Sequence, residues 1–388
     1  MAATDASGLD VGLGVGSSVG SHTSRALSCI LGILTSFTAL PAAHAQEDAP
    51  ARASVSLHGY VDDDGLTVWH PSASASAGGR WRARATYDAD VITAATVDVR
   101  TSASVRPFHE TRHGLALGLA GTLARGRVLD VRASTSQSPD YRSVTVGSAF
   151  TFEDETRRDT VRLSIDGSLA SVGRAGDPDP VGALGSVGAS LAWSRVLSPR
   201  WIADLALAGE LLRGVQESPY RFVRVGEGLQ RLAVAEAVPN ARHRVALGVG
   251  VRAALASYAF ARARLRMHAD DWGVRGYVLE PELVFALGPS LELSLAGALG
   301  AQHGARFRRG SYASGTEVPR WRTHDRELAS GFHGRAQLGL RWRFLEGEHA
   351  TLAVSARGGF DRHRFLDTPL LPRRTAALFG LSLVGEWP

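Results

Sequence analysis

The chain has 388 residues, 38 acidic and 43 basic, every basic one an arginine, for a formal charge of +5. So small an excess, with no basic block interleaved with aromatics, excludes a dedicated nucleic-acid binder. One cysteine, Cys29, excludes a disulfide framework. Residues 1–24 are rich in Gly and Ser. Gly12-Leu13-Gly14-Val15-Gly16 imitates a phosphate loop but has no strand before it and no Lys after it. Arg25 then precedes an apolar run, Ala26 to Leu40, followed by Ala43-His44-Ala45. A positive start, an apolar middle and a small-x-small end make residues 1–45 a signal peptide cleaved near Ala45. The run is too short to cross a membrane as a helix, and no later segment approaches about 18 continuous apolar residues. Cys29 sits inside it, without the leucine that usually lies three places before a lipidated cysteine. Residues 46–53 read as a short leader.

From residue 54 onward, period-2 alternation and turn chemistry predict sixteen strands. They lie at about 54–61, 66–77, 80–88, 111–123, 128–137, 141–152, 160–171, 183–195, 201–213, 243–255, 258–268, 274–287, 290–303, 332–345, 349–361 and 376–387. The stretch Trp201–Leu211 shows the pattern most clearly. Trp201, Ala203, Leu205, Leu207, Gly209 and Leu211 share one face, while Ile202, Asp204, Ala206, Ala208 and Glu210 share the other. A face of small residues with sparse acids suits a barrel lumen better than the outside of a soluble sheet.

Connection lengths sort by parity. Even connections are short, as at Gly78-Gly79, Ala256-Ser257 and Gly288-Pro289, whereas several odd ones are long: 89–110, 172–182, 214–242, 304–331 and 362–375. That is the loop pattern of a transmembrane barrel, with short periplasmic turns and long extracellular loops. Outward rows such as Leu115, Leu117, Leu119 and Leu123 suit lipid. Trp81, Trp193, Trp201, Trp342, Phe344 and Trp387 stand near strand ends, where amphipathic rings meet the membrane–water boundary. The predicted fold is therefore all-β, an antiparallel up-and-down transmembrane β-barrel of about sixteen strands over residues 54–388. The last strand ends its apolar row on an aromatic, Trp387, as a recognition strand for the barrel-assembly machinery does; Pro388 after it departs from that pattern.

Several stretches resemble an uncharacterised, domain-of-unknown-function family of Gram-negative outer-membrane β-barrel proteins. They are Tyr60 to Gly65 with His70-Pro71, Tyr87 to Ser104 with Glu110-Thr111-Arg112, Pro139 to Ser143, Ser218-Pro219-Tyr220-Arg221, and Arg322 to Leu328. The resemblance covers most of the chain after residue 46 and implies an outer-membrane barrel. It implies no activity.

Charges at membrane depth should face the lumen, because each would cost about 2–4 kcal/mol on the lipid face at the midplane. The candidates are Arg82, Arg84, Arg132, Arg162, Arg262, Arg264, Arg266, Arg335, Arg341, Arg343, Asp166, Asp204, Glu280 and Glu282. Rings of arginine can select anions, and an internal lattice of paired charges is the other reading; the lattice describes most of these residues better. Asp62-Asp63-Asp64-Gly65 and Asp177-Pro178-Asp179-Pro180 lack the spaced ligands of a calcium loop and read as solvated turns. His109, His113, His303, His324-Asp325, His333 and Ser330 form no catalytic or metal spacing.

The sequence thus predicts a non-enzymatic barrel in the outer membrane, in contact with its lipid, with no cofactor and no metal. A passive pore for small, preferentially anionic solutes is the first reading. A plugged structural or surface-interaction barrel is the second, and a barrel hydrolase the third. The Arg- and aromatic-rich connections 214–242 and 304–331 are expected to meet lipid phosphates, with at least one ordered over the mouth or folded inward.

Overall fold

Strands whose two faces both differ from water need a sheet without edges, and closure supplies it. The computed structural model describes residues 50–94, 108–174, 177, 179–226, 232–312, 318–368 and 371–388. The predicted signal peptide with Cys29 and Gly12–Gly16, the leader up to residue 49, Ala95–Ser104 and Pro178 lie outside the described residues. The strands are β1 (Ala51–Asp62), β2 (Leu66–Ala77), β3 (Trp81–Ala94), β4 (Phe108–Ala124), β5 (Arg127–Ser138), β6 (Tyr141–Glu153), β7 (Asp159–Val172), β8 (Gly182–Ser198) and β9 (Trp201–Gly214). They continue with β10 (Phe222–Val225), β11 (Leu232–Ala235), β12 (Ala241–Ala256), β13 (Ala259–Asp270), β14 (Arg275–Ala286), β15 (Leu291–His303), β16 (Gly331–Glu346), β17 (Thr351–Phe365) and β18 (Arg373–Trp387). All but β10 and β11 form one closed antiparallel barrel in chain order, with β18 returning to pair with β1. β10 and β11 make a separate hairpin inside the β9–β12 connection.

Each of the sixteen predicted segments is one barrel strand. Three differences are informative. β1 starts at Ala51 because its ladder with β18 runs on to Ala51↔Trp387, so residues 51–53 are strand and not leader. β3 and β4 extend to Ala94 and from Phe108, paired Ala94↔Phe108, past the point where apolar alternation marks them. The β10–β11 hairpin lay unrecognised in a connection, since four-residue strands carry almost no period.

The outward rows predicted for lipid are exposed: Leu115, Leu117 and Leu119 on β4, Leu205, Leu207 and Leu211 on β9, Leu338 and Leu340 on β16. A soluble protein rarely exposes an apolar patch beyond a few hundred Å²; here the apolar exposure encircles the molecule. Aromatics form two girdles. Trp81, Phe150, Phe152, Trp201, Trp342, Phe344 and Trp387 ring the end with short turns, and Trp69, Tyr87, Tyr277, Phe332 and Phe360 ring the end with long loops. On β16, Phe332 and Trp342 are ten residues apart, which for a tilted strand is about 25 Å of height, the thickness of an outer-membrane apolar band. Trp193 belongs to the first girdle and donates its indole N–H to Asp159 at 2.9 Å. No helix among the described residues is long and apolar enough to cross a membrane; the crossing elements are strands.

Candidate functional site: the lumen wall and the mouth

The lumen face is built from the other half of each alternation, so its chemistry follows from strand register. Arg262 and Glu282 stand opposite each other on β13 and β14 and pair at 3.6 Å. Arg266 reaches diagonally to Glu280 at 2.7 Å, in the row that also holds Arg264. Arg335 pairs with Asp361 at 2.8 Å, Arg341 with Glu292 at 3.9 Å and Arg252 with Asp204 at 2.8 Å. Two pairs step across a whole strand: Arg132 to Asp166 at 3.8 Å and Arg162 to Asp130 at 4.0 Å, both over β6. Gly147 of β6 makes the first of these possible, because a Cβ there would lie 3.0 Å from Asp166 Cβ and 3.2 Å from Arg132 Nε. Between the ionic rows run hydroxyl pairs, Ser54–Ser74, Ser56–Ser72, Ser164–Ser190 and Ser355–Ser382.

Ten of the fourteen predicted lumen charges are therefore members of cross-strand ion pairs. Arg84 stands on the lumen face of β3, its Cβ close to Gly118. Arg82 and Arg343 stand at the turn end of the same face. They close the turn-end rim, Arg82 donating to Pro50 O at 2.9 Å and Arg343 to Pro289 O at 2.6 Å. Both lie near the turn end of the barrel, where turn carbonyls are within reach of a guanidinium.

The mouth at the loop end is a different construction. Gly214 leaves β9 with φ +126°, and a Cβ there would sit 2.0 Å from Ala183 O, so only glycine lets the chain turn at that point. The following connection carries β10–β11 and meets the β15–β16 connection. Val225 bridges Tyr312, Ala237 bridges Arg322, and Arg308 bridges Thr323. Val223, Val225 and Tyr312 are buried against one another with Val234. A second small core joins Val238, Trp272, Val274, Ala305 and Leu328.

A buried polar hub ties the two connections. Glu236 accepts from Arg221 at 3.0 Å, from the Ser218 N–H at 2.7 Å and from the Thr323 hydroxyl. Arg221 also pairs with Asp325 at 3.2 Å. Asp325 caps a single 3-10 turn, Arg326–Leu328, by accepting the Glu327 N–H. Gln302, on the lumen face of β15, donates to Glu327 O at 2.8 Å and Ala329 O at 3.0 Å. From there the turn reaches across β16 and β17. Glu327 pairs with Arg374 of β18 at 3.0 Å, and Arg326 pairs with Asp64 of the β1–β2 turn at 2.7 Å while lying over the Phe365 ring. Below the turn, a small cleft is lined by Glu210, Arg242, Arg244, His268, Asp270 and Leu328, among others. Its two ion pairs, Arg242–Asp270 and Arg244–Glu210, are almost fully buried.

Two stretches singled out by resemblance, Ser218 to Arg221 and Arg322 to Leu328, thus touch each other in the mouth. The loop arginines expected to meet lipid phosphates are largely turned inward. Arg221 is paired, Arg308 donates to Asp367 O at 2.8 Å, Arg322 to Ala235 O at 2.9 Å and Arg306 to Asp271 O. Backbone carbonyls in irregular loops need donors, and arginine supplies five. The triple aspartate is a structural turn: Asp62 accepts the Asp64 and Leu66 N–H groups, Asp63 accepts the Thr375 N–H, and Asp64 holds Arg326. Likewise Asp177 accepts the Asp179 N–H. Ser330 accepts the Gly304 N–H, and His113 lies 2.8 Å from the Tyr87 hydroxyl. His324 accepts the Arg224 N–H at 3.1 Å, its Nδ1 lying 3.0 Å from Arg309 O; burial holds its pKa below the usual 6.5. Burial also lowers the Arg308 pKa and raises that of Tyr312. His109 carries no described side chain. Among the described residues no group of three or more His, Cys, Asp or Glu side chains is placed to hold a metal ion.

Residues 181–332 match the model of a family described as "Protein of unknown function (DUF3570)". The resemblance to an uncharacterised family of outer-membrane barrels is borne out over that stretch, which carries both mouth connections. No curated protein sequence matches the chain. Among solved structures, a bacterial polysaccharide outer membrane secretin is similar at a TM-score of 0.50 and 10% identity, over 88% of this chain and 99% of that one. The outer membrane protein OpdK from Pseudomonas aeruginosa is similar at 0.44 and 9%, over 88% of this chain and 100% of that one. CdiB from Acinetobacter baumannii is similar at 0.47 and 10%, over 86% of this chain and 60% of that one. At such identities the likeness concerns the fold, which is that of an outer-membrane β-barrel.

Proposed function

We propose that the protein is a non-enzymatic pore of a Gram-negative outer membrane, passing small solutes through a lumen narrowed at its mouth by the β9–β12 and β15–β16 connections. The termini and short turns face the periplasm, the long loops face outward, and β18 with Trp387 is what the assembly machinery reads. The observation that carries the reading is the contrast between a polar lumen wall and a mouth covered by an interlocked lid. Sixteen strands leave an aqueous channel unless something fills it, and half-exposed charges such as Arg132 and Arg262 need water around them.

A mild anion preference follows from the arginines on the lumen face, Arg84 among them. Swelling of liposomes containing refolded protein, in sugars of rising size, tests the pore. The reversal potential in a salt gradient tests the preference. Solute entry with a sharp size limit and a reversal potential on the anion side is expected. Liposomes that never swell would favour the second reading, a plugged structural barrel, for which the buried Arg374–Glu327 and Arg326–Asp64 ties across the mouth speak.

A further inference from the structure

We propose that the outer wall of β16–β18 at the loop end is a binding site for the phosphate groups of an anionic lipid in the facing leaflet. This rests on the reading of the chain as a membrane barrel. Arg364 of β17 and Arg373 of β18 are direct cross-strand partners, and Arg362 lies two residues along β17 opposite Thr375. All three are exposed, on the same outward face as Phe360 and Ala377. Directly opposed like charges destabilise a sheet, so this juxtaposition asks for an anion. Among the described residues none of the three is within an ion pair. The nearby Asp63 accepts the Thr375 N–H through one carboxylate oxygen.

The site is layered as a lipid is. The arginines form the upper layer, at headgroup height. Phe332 stands beside Arg364 on β16. Below them Phe360 is 68% exposed, Phe379 is exposed on β18, and open space surrounds Gly358. That surface receives acyl chains, while three guanidinium forks receive phosphate oxygens bidentately. Other outward charges near this end stand apart. Arg142, Arg213 and Arg275 face Gln137, Ala241 and His303 across their ladders, and His243 is paired with Asp271. Only β17–β18 places two arginines side by side among these.

The test compares three barrels refolded into phosphatidylcholine nanodiscs: the native chain, R362Q/R364Q/R373Q, and the control R142Q/R213Q/R275Q. Each is first checked for a heat-modifiable band; its absence in the native chain would remove the membrane-barrel reading itself. Native mass spectrometry then follows retention of lipid A, a diphosphorylated glycolipid, added in trace, with inorganic phosphate as the free-anion control. The native chain and the control variant should retain the lipid equally, and the β17–β18 triple variant at least tenfold less. Equal retention by all three, equal loss in both variants, or retention of inorganic phosphate without preference for the lipid would overturn the proposal.

Discussion

The lumen wall and the mouth use the same residue types to opposite effect. On the wall, arginines and acids meet by register in rows that repeat from strand to strand, and apart from the buried Asp361 they are partly exposed, so water can solvate what a lost partner leaves. In the mouth, the pairs are buried and belong to no repeating row. Arg242–Asp270 leaves 3% and 4% of its two side chains exposed, and Arg374 is almost wholly enclosed. A charge there that loses its partner has nowhere to go. The wall is therefore tolerant and sets the character of the lumen, while the mouth is intolerant and sets its shape.

The comparison would break most clearly at Asp270. Asp270→Ala strands Arg242 under Trp272 and also removes the acceptor for the Val274 N–H. We expect a loss of about 3–5 kcal/mol, measured by denaturant unfolding in detergent micelles. Next in size is a charge placed on the lipid face: Leu207→Arg, near the middle of β9, should cost about 2–4 kcal/mol and lower the yield of the heat-modifiable form. On the wall, Glu280→Gln removes the partner of Arg266, with both groups partly exposed. Stability should change by no more than about 1 kcal/mol, while the reversal potential moves toward anions. A stability loss at Glu280 as large as that at Asp270 would erase the distinction between the two regions.

The smallest effect concerns pH. His324 faces Arg308, Arg224, Arg221 and the Tyr312 ring, and burial depresses its pKa below 6.5. A histidine disfavoured in its charged form binds fewer protons in the assembled lid than in the released loop. Lid stability is therefore full above pH 6.5 and declines as pH falls below it. Current noise from lid opening should rise below about pH 6, and His324→Gln should flatten that rise.

Much of the wall was legible in the sequence, because a two-residue period is repeated over ten or more residues and every strand repeats it. Trp201–Leu211 needed no partner to show which face was which. Parity of connection length separated a turn end from a loop end. The mouth was legible only as length. Arg221 and Asp325 are over a hundred residues apart, and Glu236 and Thr323 meet through no periodic spacing. β10 and β11 are too short to register. The signal that could have found the hub was the pair of resembling stretches, Ser218 to Arg221 and Arg322 to Leu328, read as two halves of one contact. Alternation puts Arg82 and Arg343 on the lumen face, but cannot show that they donate to carbonyls at the turns.

The central claim is that the mouth, and not the wall, limits passage. It is tested most directly by single-channel conductance of the refolded native chain beside a variant in which residues 305–329 are replaced by a short glycine linker. The account predicts a conductance several-fold higher in the variant, with the direction of ion preference kept, because the wall is untouched. Equal conductance in the two, or loss of preference without a rise in conductance, would contradict it.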